Sequence, residues 1–310
     1  MLSGLDGPES VAILERRSIM DNMFILKDRL QKIRQIINKY GEDNFYISFS
    51  GGKDSTVLSH LVDHALPHNK IPRVYADTGI DFNMIHDFVI DMQKNDDRIV
   101  IIKPSVPIIP MLKTYGYPFK SKHHSNAVCR FQENGITKWV DFYLQEGYNW
   151  SANRCPKKLK YQFDESWNSL KISDKCCVKL KEEPLKKWQE ENKRPLAIIG
   201  LMIDEGGRRQ SAKCLAWKSK NRFNFQPLVA VTKEWEDWYI DYYDIEICKI
   251  YKEPYNFKRT GCKGCPFNIK LQEELDTLEK YFPAERKQCE IIWKPVYDEY
   301  RRIHYRLKEE

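Results

Sequence analysis

The sequence predicts an α/β fold, a twisted and mainly parallel sheet with flanking helices. Three observations carry this. Short apolar, β-prone runs recur at FYISF (45–49), RVYAD (73–77), RIVIIKP (98–104) and PLAIIGLM (195–202). Between them, TVLSHLVDHAL (56–66) and FNMIHDFVIDMQ (82–93) place apolar residues at helical spacing. A strand–helix–strand–helix order calls for parallel pairing through right-handed crossovers.

Taken in order, residues 8–40 carry Ile13, Leu14, Met20, Met23, Leu26, Leu30, Ile33, Ile36 and Ile37 near a 3.6 period. They read as one or two amphipathic helices packed on the sheet, with Gly41 as a C-cap before the first strand. The expected plan is a helical segment over 1–40 and an α/β domain over 41–245. A loop region over 105–192 is inserted in that domain, and a helical, cysteine-bearing part follows over 246–310. Within the insertion, 134–146 and 155–170 are weakly helical. Lys120, Lys122, His123, His124 and Arg130 form a basic cluster there, read either as a lid over phosphates or as a solvated loop. DIEICKIY (244–251) reads as a strand, and FPAERKQCEIIWKPVYDEYRRI (282–303) as a helix.

The composition narrows the function classes. In 310 residues, 42% hydrophobic and 31% charged side chains suit a chain that buries a core. A net charge of +7, from 51 basic and 44 acidic residues, suits polyanionic ligands and permits nucleic-acid contact without demanding it. No apolar run approaches the roughly 20 residues that span a bilayer. The first residues lack the basic and apolar regions of a secretory signal. The expectation is a cytoplasmic protein without a membrane partner. Nine cysteines then point to metal or redox work before disulfides.

The chemistry is densest at SGGKDS, Ser50–Ser55, between the first strand and its helix. Gly51 and Gly52 let the backbone turn tightly and approach a ligand. Asp54 and Ser55 are N-cap types, and the helix amides and dipole favour an anion. Lys53 adds a positive charge. The ligand so described is a phosphate or pyrophosphate. The spacing is not that of a Walker A loop. Asp77, Thr78 and Gly79 follow the second strand, at the strand end where ligands of such sheets bind. Cys176 and Cys177 are adjacent, and Cys262 and Cys265 form a C-x-x-C. Four converging thiolates suit zinc or an iron–sulfur cluster, although adjacent cysteines are unusual for structural zinc. Cys129 and Cys155 have no close partner in sequence and read as small buried hydrophobes.

Ser-Gly-Gly-Lys-Asp-Ser resembles the loop of the PP-loop ATP pyrophosphatases, the adenine nucleotide alpha hydrolase-like superfamily. Asp77-Thr78-Gly79 is similar to its 3′-phosphoadenylylsulfate (PAPS) reductase branch, where this turn lines the adenine nucleotide site. Cys176-Cys177, followed by Lys181, Pro184 and Leu185 and paired with the distal Cys262 and Cys265, resembles the 4Fe–4S site of assimilatory adenylylsulfate reductases. A cluster is the expected occupant, with zinc as the alternative. DEGGRRQS (204–211) resembles the family's arginine-bearing turn imperfectly. Met202 stands where arginine is usual, yet Arg208 and Arg209 remain to grip phosphate or sulfate. The resemblance runs from about 45 to 267. It implies an enzyme binding ATP with Mg²⁺, or an adenylyl-sulfate, on Ser50–Ser55 and Asp77–Gly79. Lys53, Asp54, Arg208 and Arg209 are the candidate catalytic residues.

One departure bears on mechanism. Sulfonucleotide reductases carry a C-terminal Glu-Cys-Gly-Leu-His segment whose cysteine attacks sulfur, and this sequence ends YDEYRRIHYRLKEE. The closer analogy is with superfamily members that adenylate a target and deliver sulfur, to DNA or tRNA. ATP pyrophosphatase activity coupled to sulfur transfer is therefore the leading expectation, with a cysteine desulfurase as sulfur donor and a nucleic acid as acceptor. The alternatives are a phosphoadenylyl-sulfate or adenylyl-sulfate reductase served by a thioredoxin-like reductant, and a non-catalytic nucleotide- or nucleic-acid-binding subunit.

Overall fold

The computed structural model describes residues 8–145, 154–203, 211–220 and 222–308, with side chains from residue 19 onward. The chain opens on one long helix, α1 (Pro8–Tyr40). Its Leu26, Leu30, Ile33, Ile36 and Ile37 are buried, on the face that the apolar period marks out. The sheet has six strands: β1 (Phe45–Phe49), β2 (Arg73–Ala76), β3 (Ile99–Ile102), β4 (Leu196–Ile198), β5 (Leu215–Ser219) and β6 (Arg222–Phe225). Their order is β3-β2-β1-β4-β6-β5.

β1 pairs in parallel with β2, Ile47 opposite Arg73, and with β4, Phe45 opposite Leu196. β4 pairs in parallel with β6, and β5 closes the edge antiparallel to β6. The sheet is thus mainly parallel, as expected. A central parallel strand is covered on both faces, which is why FYISF reads as a continuous apolar run. Phe45, Tyr46, Ile47 and Phe49 are all buried. The β5–β6 hairpin is an addition that the sequence reading did not contain. It lies in LAWKSKNRFNF, a run with no glycine or proline to mark a break.

The helices after α1 are α2 (Lys53–Ala65), α3 (Asn83–Asn95), α4 (Ile108–Tyr115), α5 (Lys122–Asn134), α6 (Lys138–Leu144), α7 (Lys175–Cys177), α8 (Glu183–Glu191), α9 (Lys233–Tyr242), α10 (Leu271–Tyr281) and α11 (Pro283–Arg302). A π turn, Val178–Glu182, joins α7 to α8. DIEICKIY is not a strand. Asp244 has a left-handed φ of 49°, and Lys249–Tyr251 forms a single 3₁₀ turn. Among the described residues no helix is long and apolar enough to cross a membrane.

The chain divides into two compact units. One holds residues 1–75, 88–101 and 189–248, with most of the sheet. Inside it, Asp63 of α2 accepts hydrogen bonds from buried Arg73 at the start of β2 and from Arg98 at 2.8 Å. The other holds residues 76–87, 102–188 and 249–310. Its core includes Phe119, Leu159, Ile172, Leu275, Trp293, Tyr297 and Tyr300.

Candidate phosphate loop and cysteine centre

The first unit carries the glycine loop. β1 ends at Phe49 and α2 begins at Lys53, so Ser50–Gly52 must reverse the chain in three residues. Gly51 does this with φ 68°, a conformation that favours glycine. The turn is braced from within. The Ser55 hydroxyl donates to the Gly52 carbonyl at 2.9 Å and lies 3.0 Å from the Ser50 hydroxyl. The Gly52 amide donates to the Ser50 hydroxyl at 3.3 Å. These bonds use the serine side chains for loop shape. The first amides of α2 have no carbonyl partner within their own helix, so the anion-binding end of the helix faces the turn.

Two lysines meet at this end. Lys53 Nζ lies 2.7 Å from Oδ1 of Asp237 and 3.5 Å from Oε2 of Glu236. Lys233, first residue of α9, lies 2.7 Å from Oδ1 of Asp54 and 3.0 Å from the same Glu236 oxygen. The Glu236 side chain is fully buried, and its Oε1 has no hydrogen-bond partner. Burial, and then the Asp54 charge, push its carboxyl up to about 7. Gly200, just beyond β4, presses on the loop from another side: a Cβ there would stand 3.0 Å from the Asp54 carbonyl oxygen. Lys233, Glu236 and Gly200 were not singled out from the sequence. TKEWED resembles any charged first turn of a helix, and nothing local tells which carboxylate is buried.

The second unit carries the Asp77 turn and the four paired cysteines. Gly79 has φ 73°, and its amide donates to Oδ1 of Asp77 at 3.1 Å. Thr78 is buried, and its hydroxyl donates to Asp81 at 2.8 Å. Thr78 therefore shapes the turn, while Asp77 meets Lys103 at 3.6 Å and His86 at 3.7 Å.

Cys176 and Cys177 lie on α7, their sulfurs 4.0 Å apart. Cys262 and Cys265 lie on a loop that is tightly held. Asp81 and Cys262 form an isolated antiparallel bridge, and the Lys263 amide donates to the Ile80 carbonyl at 2.9 Å. Buried Lys263 pairs with Glu285 at 3.0 Å and donates to Asn83 at 2.9 Å. From α11, Trp293 Nε1 donates to the Lys263 carbonyl at 3.0 Å and the Tyr300 hydroxyl to the Pro266 carbonyl at 2.9 Å. Gly264 has φ 61° and no room for a Cβ against Tyr297 and Cys289.

The four thiols feel one another's charge. Cys177 is pulled down to about 6, first by the hydrogen bond from Cys176 and then by Lys122 and Lys181. Cys176 keeps its proton, since it donates that bond and is buried, with Cys177, Cys265 and Cys262 all opposing its charge. Burial pushes Cys262 up to about 11, and Cys265 up as well, with Cys262 and Cys177 adding to the effect. Lys181 lies 3.6 Å from Asp81, and its own pKa is raised first by Cys262. Mutually repelling sulfur donors of this kind fit a thiolate-held iron–sulfur cluster or zinc in chemistry. Among the described residues, no three His, Cys, Asp or Glu side chains are grouped at metal-holding spacing.

Other expectations resolve differently. Arg208 and Arg209 lie outside the described residues. The basic cluster of 120–130 does not form one lid surface. His124 is fully buried between the Tyr143 hydroxyl at 2.8 Å and Gln162 at 2.7 Å, and its pKa falls to about 3 through burial. Arg130 covers the Trp139 ring at 4.9 Å. The amphipathic period of α5 turns His124 inward, where an aromatic core receives it.

The sequence profile of the phosphoadenosine phosphosulfate reductase domain matches residues 44–135 and 142–268. No curated protein sequence matches the chain. Among solved structures, PAPS reductase from Candida auris in its phosphate complex is 14% identical, aligned over 76% of this chain and 87% of that one, at a TM-score of 0.46. FMN adenylyltransferase from Candida glabrata is 13% identical over 81% of this chain and 63% of that one, at 0.48. The U34-tRNA thiolase NcsA from Methanococcus maripaludis, with its [4Fe-4S] cluster, is 17% identical over 93% and 82%, at 0.38.

Proposed function

This chain belongs to the phosphoadenosine phosphosulfate reductase domain family, within the PP-loop adenine nucleotide alpha hydrolase-like superfamily, and we propose that it is an ATP pyrophosphatase that couples adenylation to sulfur transfer. The observation that carries this reading is the loop itself. Gly51 opens a three-residue turn onto the first amides of a 13-residue helix, with Lys53 at its head. An oxygen of the acceptor attacks the α-phosphorus, the bond to the β-phosphate bridge breaks, and pyrophosphate leaves. Lys53 and the loop amides take up its charge, the kind of preorganised stabilisation that lowers such barriers. Mg²⁺ accompanying ATP would share that charge. A sulfur nucleophile then displaces AMP from the activated acceptor. Asp77 and Gly79 contribute to nucleotide binding, and Arg208 and Arg209 to gripping the oxyanion.

Cys176, Cys177, Cys262 and Cys265 are the residues proposed to hold a 4Fe–4S cluster, with zinc as the alternative. Such a cluster supplies a site for binding or relaying sulfur. The thiols outside these pairs favour sulfur transfer over sulfonucleotide reduction. Burial raises Cys129 and Cys214, pushes Cys155 up to about 11 and pushes Cys289 up to about 12, while Cys248 is buried. A nucleophilic thiol needs the opposite environment. The partners proposed are a cysteine desulfurase and a nucleic-acid acceptor, in the cytoplasm. The deciding experiment is turnover of anaerobically reconstituted protein. Pyrophosphate release from ATP supports this reading; sulfite release from an adenylyl-sulfate, served by a thioredoxin-like reductant, replaces it with the reductase reading.

A further inference from the structure

We propose that the β5–β6 hairpin binds a single strand of nucleic acid, seating one base against Trp217 in a cavity whose wall carries Gln226. The partner rests on the reading above, in which the acceptor is a nucleic acid; the surface is separate from the glycine loop.

The cavity has a volume of about 390 Å³, and its lining includes Lys213, Leu215, Ala216, Trp217 and Gln226. Trp217, on edge strand β5, is 53% exposed. A tryptophan that served packing alone would be mostly buried. Its ring is nonetheless held in place, tilted on Phe223 at 4.8 Å and edge-on to Tyr40 at 6.4 Å. A ring fixed by its neighbours and open to solvent is a stacking platform, and base stacking on such rings tolerates any sequence.

Gln226 supplies the polar contact. It is only 6% exposed, and its Oε1 has no hydrogen-bond partner among the described residues. Its backbone amide donates to the Cys214 carbonyl at 2.8 Å, which fixes it at the foot of the hairpin. A buried amide oxygen without a partner is costly and asks for an N–H donor, not for an anion. Every nucleobase carries such a donor on its pairing edge, and that edge is free only in a single strand.

The charge around the cavity suits the backbone of the same partner. From Ser211 to Gln226 the sequence holds Lys213, Lys218, Lys220 and Arg222 and no Asp or Glu. Arg222 is engaged with Gln189, while Lys213 and Lys220 are exposed. Exposed lysines beside an aromatic platform are the means by which single strands are held. The place is also apt. β1, β4 and β6 run parallel, so the end of β6 and the glycine loop after β1 lie at one end of the sheet. Two strand spacings, about 10 Å, separate those strand ends.

The test is fluorescence anisotropy of a labelled single-stranded oligonucleotide of about 12 nucleotides on the full chain. The same strand as a duplex, a polyglutamate peptide and AMP are run as competitors. Trp217→Ala should lower strand affinity about tenfold or more, and Gln226→Leu about threefold or more. Trp217→Phe keeps a stacking ring, so its affinity should stay within about threefold of wild type, while the tryptophan quenching that the strand causes is lost. Lys213→Ala should lower the slope of log affinity against log salt by about one. If Trp217→Ala fails to fold, the quenching in Trp217→Phe decides. Unchanged strand affinity in Trp217→Ala, or quenching that persists in Trp217→Phe, overturns the proposal. So does duplex or polyglutamate binding as tight as that of the strand, or AMP quenching Trp217 at the same nucleotide concentration. ATP affinity is measured on the same variants and should stay within about twofold in Trp217→Ala; an equal loss of ATP and strand binding there overturns the proposal. Strand binding without any ATP binding would sink the loop reading and leave this one standing.

Discussion

Gly200 meets the backbone of Asp54: a methyl group placed on Gly200 would stand 3.0 Å from the Asp54 carbonyl oxygen and 3.2 Å from its carbonyl carbon. The contact is backbone on both sides, so no side chain can turn away to relieve it. Gly200→Ala should displace the first turn of α2. The expected cost is about 1–3 kcal/mol of stability, typical of overpacking, with a disproportionate loss of nucleotide affinity. Chemical denaturation and nucleotide binding on the same variant check this; wild-type affinity would show that the loop tolerates the shift.

Lys53→Ala should abolish pyrophosphate release and weaken nucleotide binding by about tenfold or more, because a charged partner of the phosphates is lost. The fold should survive with a modest loss of stability: Asp237 is 61% exposed and adds little, while buried Glu236 loses one lysine and keeps Lys233. A variant with wild-type affinity and rate would contradict the assignment of the loop.

Anaerobically purified protein should be brown and contain about four irons per chain. Replacing any of Cys176, Cys177, Cys262 or Cys265 by Ser should remove the colour and the iron. Colourless protein with one zinc would keep the four ligands and replace the cluster.

His124 should make stability fall with acid. Its folded pKa, about 3, lies below the ordinary 6.5, because burial disfavours the imidazolium. The unfolded chain therefore binds the extra proton first. Stability is independent of this group above pH 6.5 and is lost progressively as pH falls from 6.5 toward 3. His124→Gln removes this dependence. Between pH 6 and 5, the difference in unfolding free energy between wild type and variant should change by up to about 1.4 kcal/mol per pH unit, which denaturant titrations can read. His60 and His64, also lowered by burial, cancel in that difference.

Adenylyl-sulfate should leave no sulfonate adduct on Cys129, Cys155, Cys214, Cys248 or Cys289. Cys214 is the most accessible of the five, yet burial still raises its pKa. Intact-mass measurement reads this directly. An adduct that vanishes in Cys214→Ser would restore a reductase mechanism.

The local elements were legible in the sequence because their causes are local. A continuous apolar run marks a strand covered on both faces, a 3.6 period marks α1 and α2, and Gly51 is needed where the chain turns through φ 68°. The β5–β6 hairpin escaped because no glycine or proline interrupts LAWKSKNRFNF, and DIEICKIY misled because an apolar alternation also suits an irregular segment buried on one side.

By itself, the sequence determined the α/β class, and it put forward the glycine loop and four cysteines as candidates for phosphate and metal binding. Those follow from residue type and short spacing, which set backbone freedom and donor chemistry without reference to the rest of the chain. Tertiary structure alone decided what surrounds them. Lys233 reaches Asp54 across 179 residues, Glu236 is buried with one oxygen unpartnered, and His124 turns from a basic loop residue into a neutral member of an aromatic core. Burial and charge depend on which distant segments share a volume, and no local pattern records that.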